Sequence, residues 1–418
     1  MRKNCFCKFG VVLFLLVFFS IFYAVGSTNE MKRDTTWTNI NGAFRLNMMY
    51  THYEGQTSPL GTASRNEFTW DTWRIGVHSY SKGIELSFQY RFYPTFNTHF
   101  IHHGWLGYHF SPETNVKVGI SQVPFGDLPF GSHSWWFQAP YYVGLEDDYQ
   151  TGVSFEHSYE KWVLHFAYYL MSEPRGTSEA SYGPFSAARY SYDVVPIPGN
   201  SNIERNQFNL RGEYHFCNAR AGLSVQSLQI YNQALAQSGN QQAAALHLNA
   251  DRNRWNLKLQ AMYYKYNNVK NDEGMLMNTV QMGAYGFGTY DVASEAAILS
   301  AGLAHTLPLE WGPLSSVQFY NDFSYMHKFD SETIGGQKQL FEKTMQNVLG
   351  ALITAGNVYT YVDVASGYNH PWLSGFFGGS AMGSGYGQDP SQPVSESNPI
   401  SRNAYWNTRL NINIGYYF

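Results

Sequence analysis

Histidines concentrated in one short segment make metal binding the first hypothesis. His99, His103 and His109 alternate onto one face of a predicted strand with Trp105 between them, and His102 falls on the opposite face. Imidazole is a common ligand of transition metals. However, His99 and His103 are four residues apart, which spans about 13 Å along a strand. Ligands that far apart cannot share an ion without help from neighbouring strands, so we predict no metal and no cofactor.

Nucleophile and base pairs of the kind that hydrolases use also occur in the sequence. His133 precedes Ser134, and Asp147 and Asp148 could lie near a histidine. A chain with 14 histidines and many serines contains such pairs by chance, and no arrangement rises above that level. We therefore predict that the protein is not an enzyme.

An aromatic and acidic segment between residues 124 and 148 is the strongest candidate for a site. It is too apolar to extend into water, so we expect it to bury itself, and its acids have no Lys or Arg beside them. The Trp135–Trp136–Phe137 cluster could stack on sugar rings, although packing of the segment against the barrel wall is the interpretation we prefer. The predicted site residues are Pro124, Phe125, Asp127, Trp135, Trp136, Tyr141, Glu146, Asp147 and Asp148.

The elements that position these residues are β-strands, because polar and apolar residues alternate through most of the chain. Residues 84–92 place apolar side chains on one face and polar ones on the other, and residues 409–418 do the same up to the terminal Phe418. A period of two is typical of strands with one apolar face. In lipid such a sheet must close, because every backbone N–H and C=O needs a partner. The sequence predicts an all-β, transmembrane antiparallel β-barrel.

Sixteen strands are predicted, and their connections alternate between short turns and long loops. Both termini then lie at the end with the short turns. Two segments are weak: residues 294–306 show no clear face, and residues 267–293 could contain a further hairpin, which would give eighteen strands. The predicted strands cover residues 40–53, 68–80, 83–93, 99–110, 115–123, 149–157, 161–170, 207–216, 221–231, 242–251, 254–266, 294–306, 314–327, 344–355, 357–365 and 402–418.

The start of the chain is basic and then apolar, which predicts a cleaved signal peptide over residues 1–26. Its apolar core is about 15 residues long, short of the roughly 20 that a membrane helix needs. Cleavage removes Arg2, Lys3 and Lys8, so the 27 basic and 31 acidic residues become 24 and 31. This balance argues against nucleic acid as a partner, and the remaining Cys217 cannot form an internal disulfide. One barrel domain, residues 27–418, accounts for the mature chain.

Charged side chains on the predicted inner face are mainly basic. Acids on the 124–148 segment that face these bases would create a transverse field across the lumen, which orients polar solutes without strong ion choice. The predicted inward acids are Glu85, Glu156, Glu213 and Asp322. The predicted pore-lining bases are Arg45, Arg74, Arg91, Lys117, Arg211, Lys258 and Arg409.

These features resemble a family of bacterial proteins. A third long connection folded into a sixteen-stranded barrel looks like the general porins. The strand-to-loop junction of the phosphate-selective O/P-like porins is similar to residues 116–126, which read Val-Lys-Val-Gly-Ile-Ser-Gln-Val-Pro-Phe-Gly. The resemblance implies a homotrimeric diffusion pore in the outer membrane of a Gram-negative bacterium, with the inserted loop as its constriction. It also implies that the barrel-assembly machinery recognises the terminal Phe418.

The function predicted from the sequence is a water-filled porin channel in outer-membrane lipid, for passive diffusion of small hydrophilic solutes and ions. Phosphate-selective members resemble ladders of basic side chains, whereas the loop here carries four acids. We therefore prefer a general or weakly selective pore to one selective for anions such as phosphate or for sugars. A barrel that is not a pore, either an adhesin or a lipase- or protease-type enzyme, is the second alternative.

Overall fold

A closed antiparallel barrel of sixteen strands forms the body of the protein. The computed structural model describes residues 35–53, 64–179, 187–286, 289–329, 333–334, 337–338, 343–370, 373, 379–382, 397 and 406–418. The predicted fold class and all sixteen predicted strands are confirmed. In chain order the barrel strands are β1 Thr36–Tyr53, β2 Ser64–Ser81, β3 Ile84–Tyr93, β4 Thr98–Ser111, β5 Thr114–Gln122, β6 Tyr149–Tyr159, β7 Trp162–Ser172, β8 Asn202–Phe216, β9 Ala219–Asn232, β10 Gln237–Arg252, β11 Trp255–Asn267, β12 Glu295–Trp311, β13 Leu314–Lys328, β14 Lys343–Ala355, β15 Val358–Tyr368 and β16 Trp406–Tyr417.

The last strand closes the barrel against the first. Phe44 pairs with Tyr416 and Met48 with Ile412 along the β1–β16 ladder. Phe418 extends this ladder, because its backbone exchanges two hydrogen bonds with Gly42, at 2.9 and 3.1 Å. The predicted signal peptide, residues 1–26, lies outside the described residues, as do residues 402–405 of the last predicted strand.

Apolar side chains cover the outward face of the wall, which is the arrangement that lipid requires. Ile40, Phe68, Leu106, Leu246 and Leu349 are among the large residues more than half exposed. The alternate residues point inward and are mostly polar or small, as the period of two predicts. No helix among the described residues is long and apolar enough to cross a membrane.

A second, smaller sheet lies apart from the wall and corrects one prediction. Residues 267–293 do contain a hairpin, Thr279–Gly283 with Thr289–Ala293. It pairs with the short strands Asp193–Val194 and Gly379–Met382, not with β11 or β12, so the eighteen-stranded alternative is wrong. Among the described residues, the remaining regular structure consists of two 3₁₀ turns, Pro94–Phe96 and Tyr141–Val143, and the two-residue strands Thr333–Ile334 and Gln337–Lys338.

Three connections fold inward together as an inner layer, made of residues 124–148, 187–201, 279–286 and 289–293, the last two ranges belonging to one connection. Their buried aromatic and aliphatic side chains form one cluster with inward-facing residues of the wall. Inward alanines, such as Ala167, Ala245 and Ala296, leave room for this layer. Ala296 belongs to the inner face of β12, which is apolar like the outer face of that strand. For this reason the sequence of β12 shows no alternation between a polar and an apolar face. The buried aromatic inner-layer members of the cluster are Phe125, Tyr141, Tyr142, Tyr190, Tyr192 and Tyr290.

Candidate functional site

A buried network fixes the start of the 124–148 loop to β8 and β9. Arg211 donates from Nε to the Gly126 carbonyl oxygen at 2.9 Å and from Nη2 to Glu213 at 2.5 Å. Asp127 accepts a hydrogen bond of 2.7 Å from Arg220. Arg211, which we predicted to line the pore, is buried and holds the loop instead. The alternation of β8 placed it on the inner face, but sequence cannot show that the loop covers it.

Three possible metal ligands converge at this anchor. One ligand atom from each of Asp127, Glu213 and His247 lies within 4.8 Å of the others. Arg211 and Arg220 already form ion pairs with the two carboxylates, at 2.5 and 2.7 Å. Because guanidinium groups occupy the place and supply the charge that a cation would, the arrangement fits an ion-pair network and not a metal centre.

The middle of the loop is held by the opposite side of the lumen. Asp322 on β13 accepts backbone hydrogen bonds from His133 and Ser134, both 2.7 Å long. Its other oxygen contacts His133 Nδ1 at 2.8 Å, and His133 Nε2 contacts Asn256 at 2.6 Å. A histidine that activates a serine needs Nε2 directed at the hydroxyl. Since Asn256 takes that position, His133 and Ser134 do not form a catalytic pair.

The loop tip is aromatic and reaches the wall at β13–β16. Trp135 and Trp136 meet edge to face, with ring centroids 5.2 Å apart. Trp136 is buried in a small cluster with Tyr320, Val348 and Ala365. The tip therefore extends from the anchored base of the loop across the lumen, which is the position that the predicted constriction requires.

Each of six inward-facing bases lies over an aromatic ring. Cation–π contact of this kind holds a base in place within about 6 Å of the ring centroid. The shortest of the six places the Arg91 guanidinium 4.5 Å from the Tyr190 ring. The others are Arg74 over Tyr417 at 4.8 Å, Arg409 over Trp136 at 4.8 Å, Lys117 over Trp105 at 4.9 Å, Lys258 over Phe130 at 5.4 Å and Arg45 over Trp135 at 5.8 Å.

Four of these bases, Arg409, Arg45, Arg74 and Arg91, stand on the adjacent strands β16, β1, β2 and β3, and we call them the basic wall. Arg74 and Arg91 are direct cross-strand partners. Arg45 forms an ion pair with Asp71. Within the described ranges no carboxylate forms an ion pair with Arg74 or Arg91, so the basic wall carries a net positive charge.

The acids of the loop do not line the lumen. Asp127, Glu146, Asp147 and Asp148 are all buried. Burial raises the pKa of Glu146 from near 4.5 to about 8, which favours the protonated form of this carboxyl, whose oxygen accepts a hydrogen bond from Gln260 at 2.9 Å. Burial and, next, the nearby negative charge of Asp193 raise the pKa of Asp148 well above its usual range.

The transverse field that the sequence predicted is therefore not the arrangement found here. Of the loop acids, Asp147 comes closest to the predicted arrangement. Its carboxylate accepts a hydrogen bond of 2.5 Å from Tyr190, and the Arg91 guanidinium lies over the Tyr190 ring. Aromatic rings, rather than carboxylates, contact Arg74 and Arg91 of the basic wall, and the positive charge of Arg91 also favours the ionised form of the nearby Asp147. The sequence gives the number of acids in the loop but not their burial or their protonation.

Residues of the loop line two cavities. One cavity of about 430 Å³ is lined by residues that include Phe130, Lys258 and Tyr361. A second, of about 280 Å³, includes His103, Trp105 and Lys117. Two of the six ring-supported bases thus border open volume, which solutes could enter.

Comparison with known proteins gives matches in structure alone. No protein-family model matches the chain, and no curated protein matches it in sequence. The outer membrane channel DcaP of Acinetobacter baumannii matches with a TM-score of 0.57 and 11% identity, over 94% of this chain and 100% of that one. OmpT of Vibrio cholerae gives 0.54 and 10%, over 93% and 100%, and an anion-selective porin from Comamonas acidovorans gives 0.53 and 11%, over 92% and 100%.

The fold is similar to that of bacterial outer-membrane porins. This likeness covers the whole porin-like barrel, but at such low identity it says nothing about which solute passes.

The histidines of β4 in the porin-like barrel do not all point to the faces that the sequence assigned to them. A bulge in the β3–β4 pairing, between Gln89 and Tyr90, interrupts the alternation. His102 consequently faces the inner layer, where its ring lies 4.2 Å from that of Tyr190. His99 contacts the outward Tyr90. The prediction that His99 shares a face with His103 is therefore wrong.

Sequence reasoning also missed two of the four rings, and the acid, that support the basic wall. Tyr417 falls on the polar face of the last strand, so the alternation of that strand could have revealed that the Tyr417 ring points inward. Tyr190 and Asp71 carried no such signal, because a loop residue has no periodic face and β2 contains an irregularity.

Docking of the loop on β11 should weaken as pH rises, because its buried acids prefer the protonated form. Burial raises the pKa of Glu146 to about 8 and that of Asp147 from 3.8 to about 6. Both values exceed those of the released groups, so the docked loop binds more protons, and docking weakens as pH rises from about 4 to 8. The positive charge of Lys258 lowers the pKa of Glu146 and so opposes the rise caused by burial, whereas the negative charge of Asp147 raises this pKa further.

The measurement is the frequency of brief current fluctuations in single channels between pH 5 and 9. We expect it to increase with pH, and Glu146→Gln should flatten the dependence. The control is Glu113→Gln, at an exposed turn. An unaltered pH profile in Glu146→Gln would exclude this carboxyl as the cause.

Proposed function

We propose that the protein is an outer-membrane channel for passive diffusion of small hydrophilic solutes, and that it prefers anions. The observation that carries this proposal is the basic wall, whose positive charge faces aromatic rings while the loop acids are buried. A ring holds a guanidinium in place without cancelling its net charge. One such charge attracts an anion 4 Å away by about 1 kcal/mol even at the dielectric constant of water.

This proposal departs from the weakly selective pore that the sequence favoured. That preference depended on ionised loop acids opposite the basic wall. With those acids buried, the second hypothesis, selectivity for anions, becomes the better one. Membership of the O/P-like porins and export to the outer membrane of a Gram-negative bacterium remain part of the proposal.

Assembly as a homotrimer, guided by barrel-assembly machinery that recognises Phe418, is also proposed. The OmpT structure from Vibrio cholerae that is described as a trimer form matches with a TM-score of 0.55 and 10% identity. The backbone bonds of Phe418 to Gly42 place this residue at the barrel seam, where the last strand is added.

The test is the reversal potential of purified protein in a planar bilayer across a KCl gradient. Measurements near 0.01 M salt are the most sensitive, because the Debye length is then about 30 Å. We expect ohmic current steps and a potential of the sign given by chloride permeation. A potential of the opposite sign would overturn anion preference. An absence of steps from correctly folded barrels would overturn the channel and favour the adhesive or enzymatic barrel.

A further inference from the structure

Arg74 and Arg91 form an unusual pair within the basic wall. They are direct cross-strand partners, and like charges in that position repel one another. Among the described residues, no carboxylate is ion-paired with either, and Asp71 is paired with Arg45. An anion between the two guanidinium groups would relieve the repulsion, and a carboxylate suits their planar N–H edges.

Aromatic rings surround this pair. Tyr417 lies under Arg74 at 4.8 Å, Tyr190 lies under Arg91 at 4.5 Å, and Trp135 lies 5.8 Å from the neighbouring Arg45. Trp135 is only partly buried, so part of its ring remains available. Arg91 donates from Nε to Gln89 at 2.7 Å, so an anion would bind at its Nη groups, close to the Tyr190 ring.

Three kinds of solute would use these faces differently. A small inorganic anion would use the guanidinium groups and gain nothing from the rings. A neutral sugar would use the rings and leave the arginines without a partner. A flat carboxylate would use both, because its charged end pairs with arginine while its planar body stacks against tryptophan or tyrosine.

We infer that the constriction binds planar aromatic carboxylates at Arg74 and Arg91, with Trp135 as the ring against which the solute stacks. This inference rests on the proposed channel function and names its preferred substrate class. Benzoate is the simplest probe, since it combines one carboxylate with one ring.

The test compares block of the chloride current by benzoate, acetate, inorganic phosphate and neutral benzyl alcohol in wild-type channels. We expect the half-blocking concentration of benzoate to be about tenfold below that of acetate or phosphate, and benzyl alcohol not to block. Equal block by acetate, phosphate or benzyl alcohol would overturn the inference. This arm uses unaltered protein, so a folding defect cannot confuse it.

A second arm assigns the ring. Trp135→Leu should raise the half-blocking concentration of benzoate about threefold to tenfold relative to acetate in the same channel, and Trp135→Phe should restore it. Trp311→Leu is the matched control, because Trp311 is highly exposed at a short turn. An unchanged benzoate-to-acetate ratio in Trp135→Leu would overturn the role of the ring.

Failure of the inference and failure of the proposed function give different results. Anion-selective channels that do not prefer benzoate would overturn the inference and leave the proposed function intact. Channels without anion preference would overturn the proposed function itself, and the inference with it.

Discussion

Removal of residues 135–142, with a short Gly-Ser linker in their place, should raise the single-channel conductance about twofold or more. These residues form the tip that crosses the lumen, where Trp135 lies near Arg45 and the Arg409 guanidinium lies over the Trp136 ring. Conductance rises with the narrowest cross-section of a pore, so excision of the element that fills it has a larger effect than any single substitution.

The excision leaves the anchors of the loop in place. Arg211 holds Gly126 before the tip, and Gln260 holds Glu146 after it. Contacts that are lost include the stack of Phe137 on Tyr141, with centroids 4.1 Å apart. Heat-dependent migration in detergent gels should show that the barrel still closes.

The matched control shortens a loop that does not enter the lumen. Deletion of residues 273–275, an exposed turn between β11 and the inner hairpin, should leave the conductance unchanged. If the 135–142 variant also conducts like the wild type, the loop does not constrict the pore, and another part of the inner layer must do so.

The barrel itself is predictable from the sequence because a strand records its face locally. Each residue of β16, for example, is assigned to lipid or lumen by its own type and the parity of its position. The alternation continues through neighbouring strands, so sixteen strands can be located without any knowledge of their partners. Only the ends move, as in β12, which extends to Trp311 where the sequence indicated residue 306.

The interior is less predictable because its contacts join distant segments. The hairpin Thr279–Gly283 and Thr289–Ala293 has strand-like sequence, but its neighbour Asp193–Val194 lies about ninety residues earlier. Likewise, Glu146 looks like an ionised acid until its burial beside Gln260 is known. The site therefore follows from how the loops pack, which sequence periodicity does not record.

Anion preference should be largely lost in the double variant Arg74→Gln with Arg91→Gln. Each removed charge is worth about 1 kcal/mol at 4 Å in water, so two should reduce the chloride-to-potassium permeability ratio by about thirtyfold in dilute salt. The reversal potential near 0.01 M KCl measures this ratio. In concentrated salt the effect should shrink, because screening shortens the range of each charge.

Arg205→Gln is the control variant, and it removes one arginine charge. Arg205 also lies over a ring, 3.5 Å from Tyr231, and it bonds Gln229, its cross-strand partner. This pair belongs to the outward face, so the control removes a ring-supported arginine away from the lumen. Its reversal potential should match that of the wild type. If the double variant keeps its anion preference as well, the selectivity does not come from the basic wall.

Loss of selectivity in the double variant should not reflect a damaged barrel. Removal of an arginine strongly destabilises a protein when its acidic partner stays behind, buried and unpaired, but among the described residues neither Arg74 nor Arg91 is ion-paired with a carboxylate. Asp147, whose charge Arg91 also favours, keeps its hydrogen bonds from Tyr190 and Gln122. Their removal relieves repulsion between like charges on paired strands. We therefore expect the variant to unfold no more readily than the wild type. A large destabilisation would instead mean that an acid outside the described residues pairs with one of these arginines, and the basic wall would then carry less charge than we propose.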